Sequence, residues 1–176
     1  MNSDLNIYFS MAINGGRQKQ PTGKDLIDFC KTLGIVLNEY IGKRNVLLHE
    51  RKKFDIYSRN MAWIDQANVM IAEVSVHSFG VGMEIQKAIS NNIPVLCLYD
   101  KIMLDGNAIS RMLTSCKNIK LVGYKTNADA KRIISEFIEE VISESKLAVP
   151  GHPECKVTDC NTCHDVSCQI HQGFEE

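Results

Sequence analysis

Short apolar runs alternate with amphipathic stretches along about the first 146 residues. Five apolar runs have the length and composition of strands: Leu5–Ala12, Ile35–Tyr40, Val69–Val74, Pro94–Tyr99 and Ile119–Val122. The amphipathic stretches predict helices, one from an N-cap at Thr22 to Leu33, and others over Ile56–Ala67, Val81–Ser90, Ala108–Cys116 and Asn127–Ser145. Because the strands are apolar throughout and alternate with helices, the pattern predicts an α/β fold with a parallel sheet covered on both faces.

The rhythm of five strands predicts a flavodoxin-like, doubly wound five-stranded parallel sheet. In such sheets ligands bind at the carboxyl ends of the strands, near the switch in strand order. The charged stretch Ile41–Asp55 has no clear period and is long for a connection. It is therefore predicted to be a binding loop or a lid.

Two strand ends carry residues suited to ligand binding. After the first strand, the Gly15-Gly16 pair lets the backbone turn freely and approach a ligand closely. After the third strand, Ser78, Gly80 and Gly82 lie where a helix begins, and free N–H groups there favour an anion. Glu84 follows about one turn into that helix, so its side chain can point back over the carboxyl ends of the strands, where ligands bind. Each signal alone is weak, since a Glu near a helix start more often stabilises the helix dipole.

The last thirty residues differ in composition from the rest. They hold four of the seven cysteines and three of the five histidines, and they are too few and too polar to bury a core. We therefore predict one domain over residues 1–146 and a Cys/His-rich tail over residues 147–176. The tail offers ligands for a structural zinc, namely Cys155, Cys160, Cys163 and Cys168. A flexible thiol-rich tail is the alternative, because only one pair has the usual two-residue spacing.

Composition narrows the classes of partner and compartment. The 176 residues carry a net charge of −1, which argues against a nucleic acid polymer as partner. No apolar run approaches the roughly 18–20 residues of a membrane span, and the first residues lack the pattern of a signal peptide. Three cysteines are scattered through apolar segments. We therefore expect a reduced protein of the cytoplasm, with the nucleus as an alternative compartment.

The segment from Ala72 to Glu84 carries the most specific motif. It matches the pattern A-E-V-x-x-x-S-x-G-V-G-x-E at every defined position. With the partial match of the first loop at Tyr8-Phe9, Ile13, Gly15-Gly16 and Arg17, the chain resembles the nucleoside 2-deoxyribosyltransferase superfamily, and most closely its 2'-deoxynucleoside 5'-phosphate N-hydrolases. The similarity covers residues 7–122 in the same order and does not include the tail.

The resemblance implies an enzyme that cleaves the bond between a base and a 2-deoxyribose, with no cofactor required. The family nucleophile falls on Glu84, which would form a deoxyribosyl ester that water then releases. Tyr8 falls on the family tyrosine beside the nucleophile and the sugar. A homodimer is implied as well, because the family completes its site with a serine of the neighbouring subunit, best matched by Ser110.

The remaining implied contacts bind a deoxynucleotide or deoxynucleoside substrate. Ser78 matches the serine that binds the 5'-phosphate, and Gly80 and Gly82 accompany it. The first loop contributes the other implied substrate contacts: Ile13, Asn14, Gly15, Gly16 and Arg17. In the hydrolases this loop usually reads G-S-I-R-G-G-R, so Ala12 and Asn14 replace its Ser and first Arg. Since Arg suits bidentate phosphate binding, the choice between monophosphate and nucleoside stays open.

A second difference from the family pattern affects the release of the base. Aligned by Trp63, the family's Asp is Asn60, and an amide cannot exchange a proton as a carboxyl can. Asp55 and Asp65 lie five residues away, on other faces of the predicted helix. We therefore hypothesise that Asn60 keeps a hydrogen-bonding role only, which predicts a slower enzyme or an altered leaving-group preference.

Three alternatives remain open from the sequence. A deoxyribosyltransferase would pass the sugar to a second base instead of water. A nucleotide-binding or sensor module without catalysis is favoured by Asn60, Asn14 and the appended tail. A flavin binder is disfavoured, because the first loop lacks a run of Ser and Thr for phosphate; a colourless purified protein would dismiss it.

Overall fold

A computed structural model of the protein describes residues 5–13, 16, 18–43, 55–103 and 109–147. Five strands form one parallel sheet in the order β2-β1-β3-β4-β5. Their bounds are β1 (Asn6–Met11), β2 (Ile35–Val36), β3 (Val69–Glu73), β4 (Val95–Asp100) and β5 (Lys120–Tyr124). The strand order confirms the predicted flavodoxin-like, doubly wound sheet.

Helices cover both faces of the sheet. They are α1 (Gln20–Leu33), α2 (Ile56–Ile64), α3 (Phe79–Ser90), α4 (Arg111–Thr114) and α5 (Asn127–Leu147). Since successive strand residues point to opposite faces, Ile7 and Phe9 lie in the core beneath α1 and α5, whereas Tyr8 lies in the core beneath α2 and α3. No helix in the described part of the chain is long and apolar enough to span a bilayer.

The predicted second strand, Ile35–Tyr40, is wrong beyond Val36. Leu37 still donates its N–H to the Ile7 carbonyl at 3.0 Å, but the next partner of β1 is a side chain. Asn38 accepts from the Phe9 N–H at 3.0 Å and donates to the Phe9 carbonyl at 2.6 Å. The buried amide thus replaces a strand residue, and the backbone turns into a 3₁₀ helix over Glu39–Gly42.

Several helix boundaries also differ from the prediction, since α2 ends at Ile64 and not at Ala67, and α3 begins at Phe79 and not at Val81. Thr22 is not the N-cap of α1, because Pro21 fits the first turn and the helix begins at Gln20. The helix predicted over Ala108–Cys116 is reduced to the one turn of α4, where the Ser115 hydroxyl bonds back to the Arg111 carbonyl. Residues 44–54, in the predicted lid, and residues 148–176, with the four cysteines of the predicted zinc site, lie outside the described residues. The separate tail therefore stays a prediction.

The topology creates a crevice between β1 and β3. The chain leaves β1 towards α1 on one face and leaves β3 towards α3 on the other. The carboxyl ends of these neighbouring strands are therefore not covered by a shared connection. This is the switch point at which doubly wound sheets bind ligands.

Candidate active site

Glu84 lies in the second turn of α3, at the edge of the stripe that packs on the sheet. Val81, Ile85 and Ala88 form the buried part of that stripe. Glu84 is only partly buried, and its carboxylate reaches the carboxyl half of β1. The helix start itself is set by Ser78, whose hydroxyl accepts from the Val81 N–H at 3.4 Å.

Two residues of β1 donate hydrogen bonds to this carboxylate. The Tyr8 hydroxyl donates to Oε1 of Glu84 at 2.9 Å, and the Ser10 hydroxyl donates to Oε2 at 2.5 Å. Both side chains are buried, and both face α3 because they are two residues apart on one strand. The predicted pairing of Tyr8 with Glu84 is thus present, and Ser10 is an additional contact.

Asn60, on α2, supplies the third donor. Its Nδ2 donates to Oε1 of Glu84 at 2.9 Å. Its Oδ1 accepts from the guanidinium of Arg59, at 3.3 Å from Nε and 3.1 Å from an Nη atom. Since a guanidinium can only donate, Arg59 fixes which end of the amide faces the carboxylate. The hydrogen-bonding role expected for Asn60 fits this geometry.

Arg59 is itself held by two aromatic rings. Its guanidinium lies 4.9 Å from the centre of the Tyr40 ring and 5.0 Å from that of Trp63. It also donates to the Tyr40 hydroxyl. Such stacking on aromatic faces restricts a long side chain. The 3₁₀ helix that carries Tyr40 therefore takes part in orienting Asn60.

The Tyr8 hydroxyl keeps its proton in this setting. Burial raises the pKa of Tyr8 strongly, and the neighbouring charge of Glu84 raises it further.

Asp55 and Asp65 do not contribute to the site. Asp55 caps α2 by accepting from the Ser58 N–H at 3.0 Å, and Asp65 binds Lys87 and Asn91. Of these three acidic residues, only Glu84 lies with Tyr8, Ser10 and Asn60.

The residues predicted to bind substrate are located by the groove that they line and not by hydrogen bonds to Glu84. Ser78, Gly82 and Ser110 line one open groove of about 1200 Å³ beside Glu84, which is not itself part of the lining. A Cβ at Gly82 would meet nothing within 4 Å, so this face of α3 leaves room for a ligand. Gly80, just before it, is exposed.

The first loop is described only in part. Ile13 packs against the core beneath α1, and Gly16 adopts a φ of +144°, which favours glycine. Asn14, Gly15 and Arg17 lie outside the described residues. Their predicted contacts with substrate stay predictions.

Sequence reasoning missed Ser10 as a hydrogen-bond partner of Glu84 and Arg59 as the residue that orients Asn60. A signal for Ser10 exists, since it is two residues beyond Tyr8 and must share its face. Arg59 offered no such signal, because its role depends on the ring of Tyr40, nineteen residues away. Among the described residues, no group of three His, Cys, Asp or Glu side chains could hold a metal.

Another carboxyl group, which is fully buried, lies on the opposite face of the sheet. Glu73, at the end of β3, accepts from Tyr124 at 3.0 Å and from Ser75, while its Oε2 has no partner in the described structure. Burial raises the pKa of this carboxyl. Glu73 does not contact Glu84 and belongs to the packing beneath α1 and α5.

Comparison with known proteins gives a consistent set of relatives. The chain is 33% identical over 154 residues to a 5-hydroxymethyl-dUMP N-hydrolase of Rattus norvegicus, covering 84% of this chain and 92% of the relative. It is 30% identical over 140 residues to the enzyme of that name in Danio rerio, covering 77% and 96%. A Methanosarcina barkeri protein named among the 2'-deoxynucleoside 5'-phosphate N-hydrolases is 34% identical over 136 residues, covering 75% and 84%.

A solved structure supports the fold alone. The CMP N-glycosidase BcmB of Clostridium botulinum superposes with a TM-score of 0.50 at 18% identity, over 75% of this chain and 98% of that one. No family model matches the chain.

Proposed function

Since the chain belongs to the 2'-deoxynucleoside 5'-phosphate N-hydrolases and is thus an N-glycosyl hydrolase, we propose that it cleaves 2'-deoxynucleoside 5'-monophosphates through an ester on Glu84. The observation that carries this proposal is the carboxylate of Glu84, held at the switch point by hydrogen bonds from Tyr8, Ser10 and Asn60. Fixed donors hold a nucleophile in one orientation before the substrate arrives.

The reaction would proceed in two steps. An oxygen of Glu84 bonds to C1' of the sugar while the C1'–N bond breaks, and the electron pair leaves with the base, which takes a proton from water. A water molecule then attacks C1' and gives one proton to the hydroxide left by the first step, while the ester bond breaks and its electron pair returns to Glu84. The released sugar is 2-deoxyribose 5-phosphate. This is the retaining strategy of glycosidases that use a carboxylate nucleophile.

The 5'-phosphate would bind at the start of α3. Ser78 and the exposed Gly80 lie there, and the N-terminus of a helix favours an anion. Arg17 and the Gly15-Gly16 pair would approach from the first loop, as the resemblance implies. Since Asn14 stands in place of an arginine of that loop, deoxynucleosides are included as substrates to be tested.

The apolar groove beside α3 supports a homodimer. Phe79 is 97% exposed and Met112 is 82% exposed, and both line this groove with Ser78 and Ser110. Large exposed apolar side chains in one patch mark contact surfaces. A second copy seated there would bring its own Ser110 to the phosphate end of the site. Analytical ultracentrifugation of the protein and of Phe79→Glu tests this arrangement.

Base release tests the proposed function. The protein is incubated with the four common deoxynucleoside monophosphates and the matching deoxynucleosides, and free base is followed by chromatography. Release is expected from the wild type and not from Glu84→Gln, which keeps the shape of the side chain but not its nucleophilic charge. Equal release by both proteins would contradict the proposal.

An added acceptor base tests the transferase alternative. If the sugar passes to a second base in preference to water, a new deoxynucleotide appears from a monophosphate donor, or a new deoxynucleoside from a nucleoside donor, and the hydrolase assignment is wrong. The noncatalytic alternative predicts a different pair of results, with substrate binding retained and no base released.

A further inference from the structure

The two oxygens of Glu84 have different surroundings. Oε1 accepts two hydrogen bonds, from Tyr8 and Asn60, both at 2.9 Å. Oε2 accepts one, from Ser10 at 2.5 Å. Because a carboxylate oxygen has two lone pairs in its plane, both pairs of Oε1 are engaged and one pair of Oε2 is open. If Glu84 is the nucleophile, as proposed above, Oε2 is the oxygen that bonds to C1'.

Ser10 therefore donates to the reacting atom. Before attack, Oε2 carries negative charge and the Ser10 hydrogen bond is strong, because donors bind an anion better than a neutral ester oxygen. As the bond to C1' forms, this charge is lost and the hydrogen bond weakens. The contact thus stabilises the free carboxylate more than the ester, which opposes formation of the ester.

The same contact has the opposite effect on the second step. When water attacks C1', the electron pair of the breaking bond returns to Oε2, and the Ser10 hydroxyl already points at that atom. A donor aimed at developing charge lowers the barrier without further reorganisation. We propose that Ser10 is a catalytic residue that accelerates release of the sugar from Glu84, and so shortens the lifetime of the covalent intermediate.

The burial of Ser10 supports this role. Its side chain is 1% exposed, so its hydrogen bond to Oε2 is little weakened by competing water. Tyr8 and Asn60 cannot substitute, since both donate to the other oxygen. Among the described residues, Ser10 is the donor positioned on Oε2.

The matched variants are Ser10→Ala and Ser75→Ala. Ser75 is also buried at a strand end and also donates to a carboxylate, but that carboxylate is Glu73 on the opposite face. Ser10→Cys provides a graded third variant, because the thiol is a weak donor of similar shape. Thermal unfolding of each variant identifies any loss of folded protein.

Rapid-quench kinetics separate the two steps. The substrate is the monophosphate that the wild type cleaves fastest, and each protein is present in excess over it. The reaction is quenched at intervals, and the amount of released base measures the first step. Intact mass spectrometry of the same samples reports the deoxyribosyl phosphate attached to the protein. Steady-state release with and without added methanol, a competing acceptor for the ester, provides a readout when the attached species is too brief to detect.

We expect Ser10→Ala to decay about 10- to 100-fold more slowly from the ester, the effect of a hydrogen bond to a charged group. Its first step should be unchanged or faster, and methanol should increase its steady-state release. Ser10→Cys should fall between wild type and Ser10→Ala, and Ser75→Ala should match the wild type.

Four results would overturn the inference. Equal slowing of both steps in Ser10→Ala would reduce Ser10 to a positioning role. Unchanged ester decay in Ser10→Ala would remove Ser10 from the second step. So would base release without attached sugar and without a methanol effect in every variant. Both results leave the glycosidase activity intact. Absence of base release from the wild type would overturn the proposed function and this inference together.

Discussion

The side-chain amide of Asn60 donates to Oε1 of Glu84 at 2.9 Å, at the place where the resemblance leads one to expect a carboxyl group. An aspartate there could share a proton with Glu84 or pass one to the departing base. The amide can only donate a hydrogen bond to Glu84, and Arg59 orients it to do so. At this position the chain therefore has a side chain that orients Glu84 and cannot transfer a proton to the base.

Asn60→Asp should restore proton transfer. Two carboxyl groups at this distance hold one proton between them, because both cannot readily be ionised together. We expect base release to rise by about 100-fold where the pair keeps that proton, the lower end of the range of general acid catalysis, and the gain to disappear as pH rises. Rates from pH 4 to 9 for the variant and the wild type measure this. An unchanged rate at every pH would show that Asn60 does not stand in for a proton donor.

Arg59→Met should lower turnover through Asn60. Without the guanidinium, the amide can rotate and present its oxygen to Glu84, which loses a hydrogen bond. We expect kcat to fall about tenfold, the effect of one such bond to a charged group, with little change in KM. The decisive measurement is a double-mutant cycle with Asn60→Ala. In that background Arg59→Met should have no further effect, and an equal fall there would mean that Arg59 acts by another route.

Asn38→Ala should destabilise the fold. The Asn38 amide is the partner of both backbone groups of Phe9, and Phe9 lies between Tyr8 and Ser10. Removing the Asn38 amide leaves the buried N–H and carbonyl of Phe9 without their partner, which should lower the free energy of unfolding by about 2–4 kcal/mol. Urea unfolding measures the change. Asn68→Ala, an exposed residue whose side chain accepts from the Asn6 N–H, is the control and should cost less.

Glu73→Gln should stabilise the protein near neutral pH. Burial raises the pKa of Glu73 above its ordinary value of 4.5, so the folded state keeps a proton that the unfolded chain has lost. The stability of the wild type therefore falls as pH rises from about 4.5 through the raised pKa. The variant has no charge to bury, so its melting temperature should exceed that of the wild type by more at pH 7 than at pH 4. Glu139→Gln, on the exposed side of α5, should show no such trend.

The strand order and the pairing of Tyr8 with Glu84 could be predicted from the sequence. The first follows from continuous apolar runs separated by helical stretches, and the second is implied by the resemblance to the N-hydrolases. The length of β2 could not be predicted, because the Asn38 side chain takes the place of a strand residue. The orientation of Asn60 depends on a guanidinium between rings from two distant elements. Local patterns carry no information about such contacts.

The hydrogen bonds to Glu84 also connect three elements of the fold, since their donors lie on β1 and α2 and the carboxylate lies on α3. Conversion of this carboxylate to an ester would remove the charge that all three donors share. The cohesion between these elements would then depend on the chemical state of one side chain, being strongest in the resting protein and weakest midway through turnover. Amide hydrogen exchange near Tyr8 and Asn60 would accordingly be faster while the sugar is attached, so that the protein loosens locally at the stage when water must enter.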